Sequence, residues 1–229
     1  MNDDGSTSRS QEEEMSDFAE FGNVPSTTLA DILGREQVMD YGVRPLWSDI
    51  PRVAGPAFTV RCPAGDNLML HAAIHRAEPG SIIVVQSGDV DYALAGGNVC
   101  AVAQRRGIAA IVTDGVIRDL GEVRQMRFPV FARGIIPIPG TKSAVEPLNV
   151  QVRCGGVQVN AGDIVVADEE GIVVTPRARR DEVLAAARAK LAKEAGESLD
   201  VWEEAHRTRI NKILADQGFE ESTDPEPGA

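Results

Sequence analysis

The chain has 229 residues, 43% of them apolar, and a formal net charge of −12. That length supports one sizeable core and is too short for two large ones. The charge argues against a nucleic-acid binder, because no stripe of Lys and Arg offsets the acids.

The acidity belongs to the ends. Residues 1–22 carry −6 and residues 216–229 carry −5, so the body between them is nearly neutral. Both ends are polar and unable to bury much surface, so each is expected to be a disordered acidic tail. A single domain is expected over 23–215, its last part a C-terminal helix. The opening MNDDGSTSRSQEEE has neither the basic nor the apolar stretch of a secretory leader. No run approaches the ~18 uncharged apolar residues of a membrane span. Cys62, Cys100 and Cys154 form no CxxC pair, so neither a zinc ribbon nor a disulfide framework is indicated. A cytoplasmic setting is expected.

In chain order, STTLADILG (26–34) predicts a short helix, with Pro25 and Ser26 at its start and Gly34 at its end. GPAFTV (55–60) reads as a strand, and DNLMLHAAIHRA (66–77) as a helix closed by Glu78-Pro79-Gly80. SIIVVQSG (81–88) is a continuous apolar run, the pattern of a buried strand. A glycine pair, Gly96-Gly97, then opens a small-residue helix that closes at Gly107. IAAIVTDG (108–115) is a second buried strand, followed by the turn VIRDLGEVRQM and then PVFARGIIPI. From 150 to 176 the residues alternate and carry Gly-rich turns, which predicts antiparallel strands. The segment 179–214 is one long helix or two, with Trp202, Ile210 and Leu214 suited to packing on a neighbouring subunit. Together these elements predict a layered α/β/β/α-type domain with a central sheet, a β-meander and a C-terminal helical extension.

Chemistry concentrates between Gly96 and Glu122. Unpaired N–H groups at a helix start bind a carboxylate, and glycine lets a ligand approach the backbone. The first set of candidates is therefore Gly96, Gly97, Asn98 and Val99. Arg118, at the end of a strand, can clamp a carboxylate and stabilise a developing oxyanion. Asp119 and Glu122, if helical, share one face at i and i+3 and can hold a hard cation such as Mg²⁺ or Mn²⁺. Read generically, an Arg-Asp pair at a strand end is a structural salt bridge.

Gly97, twenty residues, Arg118-Asp119, two residues and Glu122 resemble the metal-site pattern of the RraA-like superfamily. Further matches are AVAQRRGIAAIVTDGVIRD, FPVFARGIIP and GDIVVADEEGIVVTP, and the likeness spans roughly 25–205. That family includes 4-hydroxy-4-methyl-2-oxoglutarate aldolases and a regulator of ribonuclease E. The resemblance implies metal-dependent aldolase or oxaloacetate decarboxylase chemistry releasing pyruvate. Arg118 would bind the pyruvyl portion, the amides of Asn98 and Val99 its carboxylate, and Asp119 the divalent ion. Many aldolase members have Asp where this chain has Gly97, whereas others pair Gly there with a carboxylate at the Glu122 position, as here. The resemblance also implies a homotrimer or hexamer, in which Glu194 or Glu197 of an adjacent subunit reaches the site. Candidate substrates are 4-hydroxy-4-methyl-2-oxoglutarate, 4-carboxy-4-hydroxy-2-oxoadipate and oxaloacetate. The alternative is a non-catalytic regulator that binds and inhibits a ribonuclease. A methyltransferase, a name sometimes attached to the family, lacks support, since no Gly-rich nucleotide loop follows a first strand.

Other residues are read structurally. His71 and His75, at i and i+4, lack the glutamate of an HExxH zinc site and read as surface or partly packed. Arg105-Arg106 suits a helix C-terminus, and Cys100 reads as small-residue packing. Asp168-Glu169-Glu170 reads as a solvated turn, and Asp66 as a helix cap.

Overall fold

A computed structural model describes residues 18–220, which form two compact units divided after Ala187. The expected acidic tails lie largely outside the described residues. Where description begins, Phe18–Phe21 is helical and Phe21 is fully buried, although the sequence places it within a tail.

The first unit is a mixed α/β domain. In chain order its elements are α1 (Ser26–Leu33), β1 (Arg44–Pro45), β2 (Val53–Cys62), α2 (Leu68–Ala73), β3 (Ile82–Ser87) and α3 (Gly97–Arg105). Then follow β4 (Ala110–Thr113), β5 (Val116–Ile117), α4 (Leu120–Gln125), β6 (Val130–Ala132) and β7 (Gly134–Ile135). The meander comprises β8 (Val152–Cys154), β9 (Val157–Val159), β10 (Ile164–Ala167) and β11 (Ile172–Thr175). Seven strands pair in the order β1-β6-β4-β3-β2-β10-β11. The strands β2, β3, β4 and β6 run parallel, while β1, β10 and β11 pair antiparallel at the two sides.

The apolar runs at β3 and β4 exist because both faces of the sheet are covered. Successive side chains point to opposite faces. Thus Ile83, Val85 and Ile111 pack with Leu70, Cys100 and Phe128 on the face of α2, α3 and α4. Their neighbours Ile82, Val84 and Val112 pack with Phe131, Val152, Val159 and Val174 on the other.

Chain reversals at the carboxyl ends of the parallel strands build the site. Asp114, at the end of β4, accepts from the Ser87 N–H at 2.7 Å and the Gly155 N–H at 3.3 Å. It ties the end of β3 to the β8–β9 turn. The two-residue β5 leaves that end and pairs in parallel with β7.

Helix α5 (Arg180–Ala195) begins in the first unit and runs into the second, which also holds α6 (Leu199–Asp216). The long helix is thus two, broken at Gly196-Glu197-Ser198, where Ser198 caps α6 by accepting from the Val201 N–H at 3.3 Å. No helix among the described residues is long and apolar enough to cross a membrane.

Candidate functional site

Helix α3 starts where the backbone is closely approached by acids. Its first intrahelical bond runs from the Cys100 N–H to Gly96 O, so the N–H groups of Gly97, Asn98 and Val99 precede any such partner. That of Gly97 donates to Asp119 Oδ2 at 3.0 Å. At both glycines the nearest atom is a carboxylate oxygen. A methyl at Gly96 would stand 2.4 Å from Asp119 Oδ2, and one at Gly97 would stand 1.7 Å from Glu122 Oε2. The two carboxylates therefore sit directly on the glycine pair.

Asp119 and Glu122 do not reach that position as residues of one helix face. Asp119 is the N-cap of α4 and has left-handed backbone angles, φ 58° and ψ 37°. That conformation costs an L-residue roughly 1–2 kcal/mol, and Asp is among the few that tolerate it. The strain turns the chain sharply from β5 into α4. Arg118 is held on the other side of the same turn, its N–H donating to Ala95 O at 2.9 Å. Its Nε lies 3.5 Å from Asp119 Oδ2, and both side chains remain more than a third exposed.

The predicted residues Gly96, Asn98, Val99, Arg118 and Asp119 line one small cleft of about 70 Å³, whereas the equally predicted Gly97 and Glu122 are not among its lining residues and Glu122 is exposed. Its wall also includes Asn67, His71 and Lys142, which the sequence did not single out for this role. His71 is partly packed as expected, but at the cleft. Burial, with Lys142 and Arg118 nearby, pushes its pKa down. Lys142 comes from an irregular loop that carries no periodic signal. Asp66 holds this loop: its Oδ2 accepts from the Ser143 N–H at 2.6 Å, the Ala144 N–H at 3.2 Å and the Thr141 hydroxyl at 2.9 Å. Asp66 also caps α2 locally, with Oδ1 accepting from the Leu68 N–H at 2.9 Å. Capping is thus half of what Asp66 does.

Other readings resolve as follows. Cys100 is fully buried, and burial together with the charge of Asp119 pushes its thiol up to about 12, so it is no nucleophile. Arg106 donates to His75 O at 3.1 Å. Asp168 is not a solvated turn residue. It is buried and accepts from Ser26 N–H at 3.0 Å, Ser26 Oγ at 2.6 Å and Arg52 Nε at 3.0 Å. It anchors the start of α1, where Ser26 makes no cap. Only its neighbours Glu169 and Glu170 are exposed. Glu194 and Glu197 line a cleft of the second unit with Lys190, Lys193, Trp202 and His206. Among the described residues no three His, Cys, Asp or Glu side chains cluster closely enough to form a metal cage by themselves.

The arrangement suits a small anion: helix-start amides and Arg118 to receive it, and two carboxylates beside them to hold a counter-cation. Comparison with known proteins identifies the family. A protein of Halalkalibacterium halodurans, provisionally named 4-hydroxy-4-methyl-2-oxoglutarate aldolase, is 36% identical over 76% of this chain and 83% of its own length. The structure of RraAS2 from Streptomyces coelicolor, described as an unusual member of the RNase ES inhibitor RraA family, superposes with a TM-score of 0.66. It is 29% identical and covers 88% of this chain and 100% of its own. The RNA-processing inhibitor RraA from Thermus thermophilus superposes with a TM-score of 0.61 at 26% identity, covering 67% of this chain and 93% of its own. The RraA-like model, described as Aldolase/RraA, matches residues 26–174, and with it the strands, the glycine pair and the Arg118–Asp119 turn. The chain belongs to the RraA-like family.

Proposed function

We propose that the protein is a divalent-metal-dependent lyase that cleaves a carbon–carbon bond of a small 2-oxo acid and releases pyruvate. The observation that carries this reading is the seating of the Asp119 and Glu122 carboxylates on Gly96-Gly97, beside the open amides of α3 and Arg118. The names of aldolase relatives agree with it.

The donor set fits a hard cation. Mg²⁺ and Mn²⁺ take carboxylate oxygens and keep several waters, so one or two protein carboxylates suffice. Asp119 and Glu122 would hold the ion, and once bound it would supply Lewis-acid polarisation of the 2-oxo and carboxylate oxygens. The chain's own groups do the rest. The N–H groups of Asn98 and Val99 receive the substrate carboxylate at the positive end of α3. Arg118 meets the negative charge that develops on the 2-oxo oxygen as the bond breaks. Left-handed Asp119 keeps its carboxylate and the Arg118 guanidinium on the same side of the cleft. Loss of carbon dioxide from oxaloacetate and retro-aldol cleavage leave the same charge on the same oxygen, so one site serves both.

The test is pyruvate release from oxaloacetate and from 4-hydroxy-4-methyl-2-oxoglutarate with Mg²⁺ or Mn²⁺, against EDTA and a metal-only blank. Metal-dependent release above the blank is expected. The second reading, a protein that binds and inhibits a ribonuclease, is favoured by the description of the Streptomyces and Thermus neighbours. Release from neither acid, together with capture of a ribonuclease, would replace the lyase by that regulator.

A further inference from the structure

His71 lies in the last turn of α2, half-buried, and lines the cleft with Arg118, Asp119 and Lys142. Among the described residues its imidazole has no hydrogen-bond or ion-pair partner, so no bond of the scaffold occupies its ring nitrogens. The titratable groups that face it are Lys142 from the 141–144 loop, Arg118 from the strand-end turn, His75 one turn on and Asp66 before the helix. Burial, with Lys142 and Arg118 nearby, pushes its pKa down from the ordinary 6.5, and Asp66 opposes them. An imidazolium beside other cations gives up its proton readily.

A 2-oxo acid carries three substituents on C2, and the lyase reading assigns two of them. The α3 amides receive the carboxylate, and Arg118 meets the oxygen. The third, C3, is left to the side of the cleft that Asn67, His71 and Lys142 provide. The cleft is only about 70 Å³, so a bound acid lies against every wall. The Asn67 Nδ2 is already committed to Ala93 O at 3.1 Å, and a lysine ammonium only donates. An imidazole both takes and gives a proton near neutral pH.

We infer that His71 is the acid–base residue at C3, giving a proton to the pyruvate enolate once the bond has broken and removing one in the reverse direction. The inference rests on the lyase reading above and supplies the proton carrier that reading lacks. When oxaloacetate loses carbon dioxide, the electron pair of the C3–C4 bond passes to C3 and the adjoining 2-oxo group. C3 then takes a proton from the imidazolium, pyruvate leaves, and the imidazole regains a proton from water. One solvent proton is consumed and nothing else. In reverse, the imidazole takes a proton from C3 of bound pyruvate, exchanges it with solvent and returns another. Pyruvate in D₂O therefore acquires deuterium at C3 without any carbon–carbon bond being made or broken.

The experiment follows that deuterium uptake by proton NMR with Mg²⁺, beside oxaloacetate decarboxylation, in the wild-type chain, His71→Gln and His71→Ala. Thermal melts identify whichever variant folds. Proton transfer by a positioned side chain contributes about 10²–10⁴-fold, so exchange should fall by on the order of 10² or more. Decarboxylation should fall by a smaller factor, because an enolate released into solution takes its proton from water. Exchange kept at near wild-type rates, or exchange and decarboxylation falling by the same factor, would overturn the inference while leaving the lyase intact. So would a wild-type chain that releases pyruvate without exchanging C3. A wild-type chain that does neither would remove the lyase reading, and this inference with it.

Discussion

At Gly97 a single added methyl would stand 1.7 Å from Glu122 Oε2. Gly97→Ala should therefore displace the Glu122 carboxylate while leaving the core untouched. The expected result is a loss of pyruvate release of tenfold or more with a melting temperature within a few degrees of wild type, read by enzyme assay and thermal melt. Arg118→Ala should cost on the order of 10²–10³ in rate, as for a lost oxyanion partner, and steady-state kinetics on oxaloacetate measures it. The residues behind these two predictions were legible in the sequence, because Gly96–Val99 and Arg118–Glu122 lie close together along the chain in a recognisable spacing. Asn67 and Lys142 were not. They reach the cleft only through pairing between distant segments, such as the Asn67 N–H donating to Thr141 O at 2.9 Å.

Among the elements, the loop that carries Lys142 depends on Asp66. Burial pushes the Asp66 carboxyl up, but the amides of Leu68 and Ser143 and the hydroxyls of Thr141 and Ser143 outweigh it. They hold it well below its ordinary value of 3.8. A carboxyl depressed in the folded state contributes stability that is fully present above its unfolded pKa and is lost as pH falls through the folded one. Asp66→Asn should thus be less stable than wild type at pH 7, and the gap between them should narrow as pH drops below 3.8. Chemical denaturation at a series of pH values checks this; a gap that stays constant would mean the clamp is not the charged carboxylate. The buried parallel strands were legible because both faces demand apolar residues. The two-residue strands β1, β5 and β7 were not, since two residues carry no periodicity. Nor was the left-handed turn at Asp119, which makes two acids neighbours without a shared helix face.

For the molecule as a whole, the second unit exposes Leu199, Val201, Trp202 and Ile213. Trp202 stacks on His206 with ring centroids 4.6 Å apart. None of the residues of α6 is buried. The expected assembly is a homotrimer or hexamer, measured by light scattering. Trp202→Glu should shift it toward smaller species. The layered α/β architecture and the C-terminal helical extension were legible from strand–helix alternation. Where the helix breaks was not, because the polar run Gly196-Glu197-Ser198 is short and its Ser198 cap shows only in three dimensions.

The central claim is that the carboxylates seated on the glycine pair form a metal-dependent lyase centre. It is tested most directly by pyruvate release from oxaloacetate with Mn²⁺, measured side by side for the wild-type chain and Asp119→Ala. The wild type should release pyruvate well above the metal-only blank, with the excess abolished by EDTA, and Asp119→Ala should fall to the blank. Release by a folded Asp119→Ala at near wild-type rates, or wild-type release that EDTA leaves unchanged, would contradict it.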